Sequence, residues 1–116
     1  MAEETRSPGK TTIAPEVILN IARLTTLGVE GVSHMCGGTN VNDILHRGQR
    51  NDGARVQIED GKVNLTLRVA LNENVNLKRV GRSIQKEVAR AITEMVGMEI
   101  GKIDIQIEDI NYITEN

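Results

Sequence analysis

From Val63 to Leu71 the chain alternates: Val63, Leu65, Leu67, Val69 and Leu71 are aliphatic, while Asn64, Thr66 and Arg68 between them are polar. A period of two predicts a strand with one face on a core and the other polar. Its register is well specified, because a one-residue slip would expose every aliphatic side chain. Arg55 to Glu59 precedes it across Asp60-Gly61, a dipeptide that supplies the positive φ angles of a two-residue hairpin turn. That turn sets Ile58 opposite Val63 and Val56 opposite Leu65.

Two other stretches follow the helical period. Pro15 stands where a first helix would begin, since a first-turn proline gives up no intrahelical hydrogen bond. Val17, Ile18, Ile21, Ala22 and Leu24 follow at helical spacing, and Gly28 is the expected terminator. Asn76 is a suitable N-cap for a second helix, whose stripe is Leu77, Val80, Gly81, Ile84, Val88, Ala91, Ile92 and Met95 before Gly97. A last strand is predicted at Ile103, Ile105 and Ile107, alternating with Lys102, Asp104, Gln106 and Glu108. Val29 to Met35 reads as extended, and Thr11 to Ile13 as a short first strand.

The resulting order is β-α-β-β-β-α-β. Amphipathic helices and one-sided strands predict an α+β two-layer sandwich, with both helices on one face of a small mixed sheet. Residues 1–10 are polar, contain Pro8 and Gly9, and read as a disordered lead-in to one domain over residues 11–116. Cys36 to Gly53 is rich in Gly, Asn and Asp around an apolar island of Val41, Ile44 and Leu45. It reads as a long loop with one short helical turn, and loops of that length often form working surfaces.

Composition narrows the picture. With 116 residues, no Phe, no Trp and one Tyr, the core has to be built from Ile, Val and Leu. A single cysteine excludes an internal disulfide and suits a reducing compartment. Met1 to Lys10 has no apolar run, so it is neither a signal nor a transit peptide, and no stretch approaches the roughly 20 apolar residues of a membrane span. These features predict a soluble, cytoplasmic protein. A net charge of -2 gives no global attraction to nucleic acid or anionic membrane.

Candidate chemistry is sparse. His34, Cys36 and His46 offer zinc-type donors, but there is no Cys-x-x-Cys pair, no His-x-x-x-His and no acid spaced to complete the shell. A Cys36 nucleophile would also need an orienting group and an oxyanion site, which the sequence does not supply. The expectation is therefore no catalytic residue, no metal and no cofactor. Gly28-Val29-Glu30-Gly31 has the spacing of the phosphate-clamping loop of KH domains. It lacks the basic residue between the glycines and precedes a strand-like segment, so a helix stop with tight strand entry accounts for it better.

The second helix carries the one patterned surface. Lys78, Arg79, Arg82, Lys86 and Arg90 fall opposite its apolar stripe, with Lys78, Arg82, Lys86 and Arg90 at successive i+4 positions. A solvated face explains such a run; a docking face for an anionic partner (an acidic protein surface, lipid headgroups or RNA) explains it as well. A KH-like RNA-binding module using the same face is the alternative, weakened because Tyr112 alone makes no stacking platform. The acidic strand ends Glu59, Asp60, Glu108 and Asp109 complement the basic helix, so a homo-oligomer is also expected.

Several segments together resemble the alkaline-shock and general-stress protein family of Gram-positive bacteria, the envelope stress response family. They are Ile13-Ala14-Pro15-Glu16-Val17 leading into Ile21-Ala22, Val29-Glu30-Gly31-Val32 with Met35, the Gly53 to Gly61 strand and turn, Ala91 to Gly97, and Ile103 to Ile107. The resemblance runs from Thr11 to Ile110. It implies a small cytoplasmic protein without catalytic activity, tied to cell-envelope stress and homeostasis, with some members held at the membrane by a membrane-anchored partner. The sequence departs from the usual pattern at Asn72-Glu73-Asn74, where many members have an aromatic residue and a glycine, and in the loop from Cys36 to Gly53.

Overall fold

The computed structural model describes residues 12–37, 50–51 and 53–112. The chain order is α1 (Pro15–Leu27), β1 (Val32–Met35), β2 (Arg50–Asn51), β3 (Ala54–Glu59), β4 (Lys62–Asn72), α2 (Leu77–Val96) and β5 (Glu99–Asn111). This is an α+β fold in which the two helices pack together over a mixed sheet.

The hairpin forms as its sequence dictates. Asp60 (φ 52°) and Gly61 (φ 75°) take the two positive-φ turn positions, and Val56 pairs with Leu65 and Ile58 with Val63. β4 is the centre of the sheet. β5 runs parallel along one whole edge of it, from the Lys62–Glu99 pair to the Asn72–Asn111 pair. The opposite edge is shared, β3 pairing antiparallel with residues 54–59 against 62–67, and β1 pairing higher up with Val69 to Leu71. β4 and β5 are joined through α2, the helical crossover that parallel neighbours require.

Two expectations change. No strand forms at Thr12 and Ile13, while Thr11 lies outside the described residues. The backbone there is extended up to Ala14 (φ −66°, ψ 140°), the N-cap of α1, but both edges of β4 are already occupied. Ile13 instead rests half-buried on the core. The second change is in the expected loop, where Arg50–Asn51 pairs with Arg55 and Ala54 as β2. The proposed helical turn and the island of Val41, Ile44 and Leu45 lie outside the described residues, as do residues 1–10.

The core sits between the layers. Val63, Leu65, Leu67, Val69 and Leu71 of β4 meet Ile18, Leu19 and Ala22 of α1 and Val80, Ile84, Val88 and Ile92 of α2. Full burial of each aliphatic side chain is worth about 1.5–3 kcal/mol. The one buried polar side chain among the described residues, Thr26, is satisfied by donating from Oγ1 to the Ala22 carbonyl at 2.7 Å. α1 is rotated from the expected stripe: Leu19 and Thr26 point inward, and Val17 and Leu24 outward. About 100° per residue carries Leu24 away from Ala22 and onto the outer side of the helix.

Candidate functional site

α2 is held firmly at both ends. Asn76 Oδ1 accepts from the Arg79 backbone N–H at 3.0 Å, and Gly97 closes the helix in the left-handed conformation (φ 80°). Val80, Ile84, Val88 and Ile92 fill the inward stripe at i+4 steps. Fixing that stripe fixes its opposite. Lys78, Arg79, Arg82, Lys86 and Arg90 are all exposed, and the ladder from Lys78 to Arg90 extends about 18 Å at 1.5 Å per residue.

The rungs differ. Arg90 lies 3.8 Å from Glu87 and 3.6 Å from Glu94, both exposed pairs of small energetic value. Lys78, Arg82 and Lys86 have no ion-pair partner among the described residues. Lys78 and Arg79 also occupy the first turn, which contains no acid, so they work against the positive end of the helix dipole. Intramolecular stability does not account for that placement.

Arg79 turns from the ladder toward an open cleft of about 670 Å³ between the end of α1 and the start of α2. Leu24, Val29, Val75 and Val80 give it apolar walls, and Ser83 and Glu87 give it a polar margin. Sequence reading missed this cleft because it assigned Leu24 to the core; the signal was the i+2 step from Ala22. The Gly28 to Gly31 turn also lines it. That turn carries α1 directly into β1, with no second helix behind it. Gly31 has φ 103°, and a Cβ there would stand 2.8 Å from Val80 Cγ2.

The sheet face away from the helices is polar. Arg68 Nε and Nη2 donate to Glu108 Oε2 and Oε1, each at 2.9 Å, and these bonds hold the Glu108 carboxyl below its ordinary range. Cys36 is half-buried beside this pair. Burial first, then the Glu108 and Asp109 carboxylates, push its thiol up, with Arg68 opposing. Such a thiol is a poor nucleophile at neutral pH. His34 is exposed, with Nδ1 3.0 Å from Ser33 Oγ, and His46 lies outside the described residues. No group of three potential metal-ligating side chains occurs among the described residues, and no described helix is long and apolar enough to cross a membrane.

The fold defines a small α+β module of two helices packed over a mixed sheet. The chain belongs to the family of alkaline-shock protein 23, described by its cell envelope-related function, which it matches over residues 3–112. An uncharacterised protein of Bacillus subtilis strain 168, YqhY, is 28% identical over 117 residues, covering 99% of this chain and 87% of that one. Solved structures of the MamM CTD share the fold. Its copper form superposes with a TM-score of 0.58 at 12% identity, covering 87% of this chain and 90% of that chain. A nickel form of a variant gives 0.53 at 13% identity, covering 81% and 96%.

Proposed function

We propose that this chain is an interaction module that docks an acidic protein partner at the cytoplasmic side of the cell envelope, using the exposed face of α2. The observation that supports the reading is the ladder of Lys78, Arg82 and Lys86, exposed and without ion-pair partners among the described residues. Arg79 would extend the contact into the neighbouring cleft, where Leu24 offers an apolar anchor point. A surface of this kind steers an acidic partner and sets its orientation, with the cleft supplying burial. A membrane-anchored partner would place the module at the membrane without a spanning segment of its own.

The test is charge reversal. In the double variant Arg82→Glu/Lys86→Glu, capture of partner protein from the membrane fraction of native lysate should fall steeply, with the melting transition nearly unchanged. Undiminished capture would sink the docking face. RNA retention that falls steeply with salt and disappears in the same variant would move the reading to nucleic acid.

A further inference from the structure

The outer edge of β5 is a long, unpaired strand edge among the described residues: β5 has 13 residues and pairs only with β4. The hairpin fixes which of its backbone groups face outward. Arg68 directs its N–H to the Gly53 carbonyl at 2.8 Å, and its carbonyl accepts from Cys36 N–H at 2.7 Å, so the even-numbered residues of β4 face β3 and β1. Val63, Leu65, Leu67 and Val69 therefore face β5. In a parallel pair each residue bonds to the two neighbours of its opposite number. Leu65, opposite Ile103, thus reaches Lys102 and Asp104, and Leu67, opposite Ile105, reaches Asp104 and Gln106. The backbone groups of Ile103, Ile105 and Ile107 are left on the open edge. Gln85 Nε2, reaching down from α2, donates to the Ile103 carbonyl at 3.0 Å, as this assignment requires.

The isoleucines along this edge are spaced symmetrically about Ile105, and the positions between them pair Asp with Gln, Lys with Glu and Gly101 with Asp109. Counting outward, Asp104 mirrors Gln106, Ile103 mirrors Ile107, Lys102 mirrors Glu108, and Ile100 mirrors Ile110. We infer that β5 is the pairing edge for a second copy of this chain, joined antiparallel about a two-fold axis through Ile105 so that the two sheets become one. In that register Ile105 faces its own copy across a reciprocal pair of backbone hydrogen bonds, and Ile103 bonds with Ile107 of the other copy. The Ile103 carbonyl has a second lone pair to accept with, so the Gln85 contact is compatible. On the open sheet face Lys102 meets Glu108, and Asp104 meets Gln106, with no like charges opposed. Glu108 keeps its Arg68 bonds and gains a second cation.

The apolar layer is incomplete in the way this pairing would complete. Val63, Leu65, Leu67 and Val69 of β4 are essentially inaccessible, whereas Ile103 and Ile105 are only half-buried and Ile107 is 36% exposed. Bulges bound the run, with register breaks at Gly101 and between Ile107 and Asp109. They turn the ends of the edge aside and limit open-ended stacking. Between them lies no proline, and Lys102 is the one lysine that protects the edge. No residue of the basic face of α2 enters these strand pairs.

Position 106 tests the pairing, because it is exposed and each two-fold contact occurs twice. Gln106→Lys places a lysine opposite Asp104 of the other copy and should tighten the dimer; Gln106→Glu opposes two acids and should weaken it. Each change should move the dissociation constant by roughly two- to thirtyfold, from the usual worth of cross-strand charge pairs. Sedimentation equilibrium of the full chain over a concentration series reads this directly. Within one protomer residue 106 lies opposite Arg68, so stability of the monomer should respond with the opposite sign. A wild-type chain that stays monomeric throughout would overturn the inference and leave the edge bare or open to a foreign strand. A dimer indifferent to both substitutions would overturn it too, by placing the interface elsewhere. Arg82→Glu/Lys86→Glu should leave self-association unchanged, which separates this contact from the docking face.

Discussion

Arg68 reaches diagonally across the parallel β4–β5 pair to Glu108 with two hydrogen bonds of 2.9 Å, a bidentate fork on the open side of the sheet. It lies beside the bulge, where the register between Val69 and Ala70 breaks and β5 gains a residue. Alternation from Ile107 already puts Glu108 on that face, and the extra residue returns Ile110 to the core side opposite Leu71. A bulge and an ion pair thus specify one register between two strands that no short turn connects.

Acid should loosen this lock. The Glu108 carboxyl is held below its ordinary value of 4.5, chiefly by the Arg68 hydrogen bonds. A carboxyl depressed by folding adds stability above its unfolded value and loses that contribution as the pH falls through its folded value. Urea titrations should find wild type more stable than Glu108→Gln at about pH 7, with the difference shrinking as the pH is lowered toward about 3. A gap that stays constant down to that pH would assign the stabilisation to something other than ionised Glu108.

Gly31 should tolerate no side chain. Its φ of 103° disfavours every L residue, and a Cβ would stand 2.8 Å from Val80 Cγ2. Its carbonyl also accepts from Asn72 N–H at 2.8 Å, tying the turn to the end of β4. Gly31→Ala is expected to cost about 1–3 kcal/mol, measured as a lowered urea midpoint. The companion Gly28→Ala should be far milder, because Gly28 is right-handed (φ −84°) and a Cβ there meets nothing closer than 3.5 Å. Equal losses at the two positions would contradict the close-approach argument.

Cys36 should alkylate slowly. Burial and the Glu108 and Asp109 carboxylates disfavour its thiolate, with Arg68 offsetting part of the effect. Iodoacetamide at about pH 8 should react with the folded chain well below the rate for the urea-unfolded chain. Glu108→Gln removes one of those carboxylates and releases Arg68, so it should speed the folded reaction. No change in that variant would mean that burial alone controls the thiol.

What the sequence made legible was mostly local. The Asp60-Gly61 turn carried the whole register of the hairpin, down to Val56 against Leu65. Asn76 and Gly97 marked both ends of α2 because capping is chemistry between near neighbours. The basic face followed from the same periodicity. Gly28 stopped α1 as expected, but the left-handed turn fell three residues later, at Gly31, where Val80 decides the matter from a distant helix. The full length of β5 was hidden for a similar reason. Glu99 to Lys102 and Glu108 to Asn111 break the alternation, and they become strand only because β4 offers an edge that long. The cleft required knowing how α1 rotates, which is set by its packing on α2 and the sheet.

The central position of β4 also sets an order of events. Its hairpin partner β3 is two residues away in the chain, so that pairing closes one of the smallest possible loops and can form within microseconds. β5 must wait, because Lys62 meets Glu99 only after all of α2 has been traversed and docked. During that interval β4 exposes one complete hydrogen-bonding edge, and the isoleucines of β5 are not yet covered. That late pairing is therefore also a window of vulnerability to association between nascent chains.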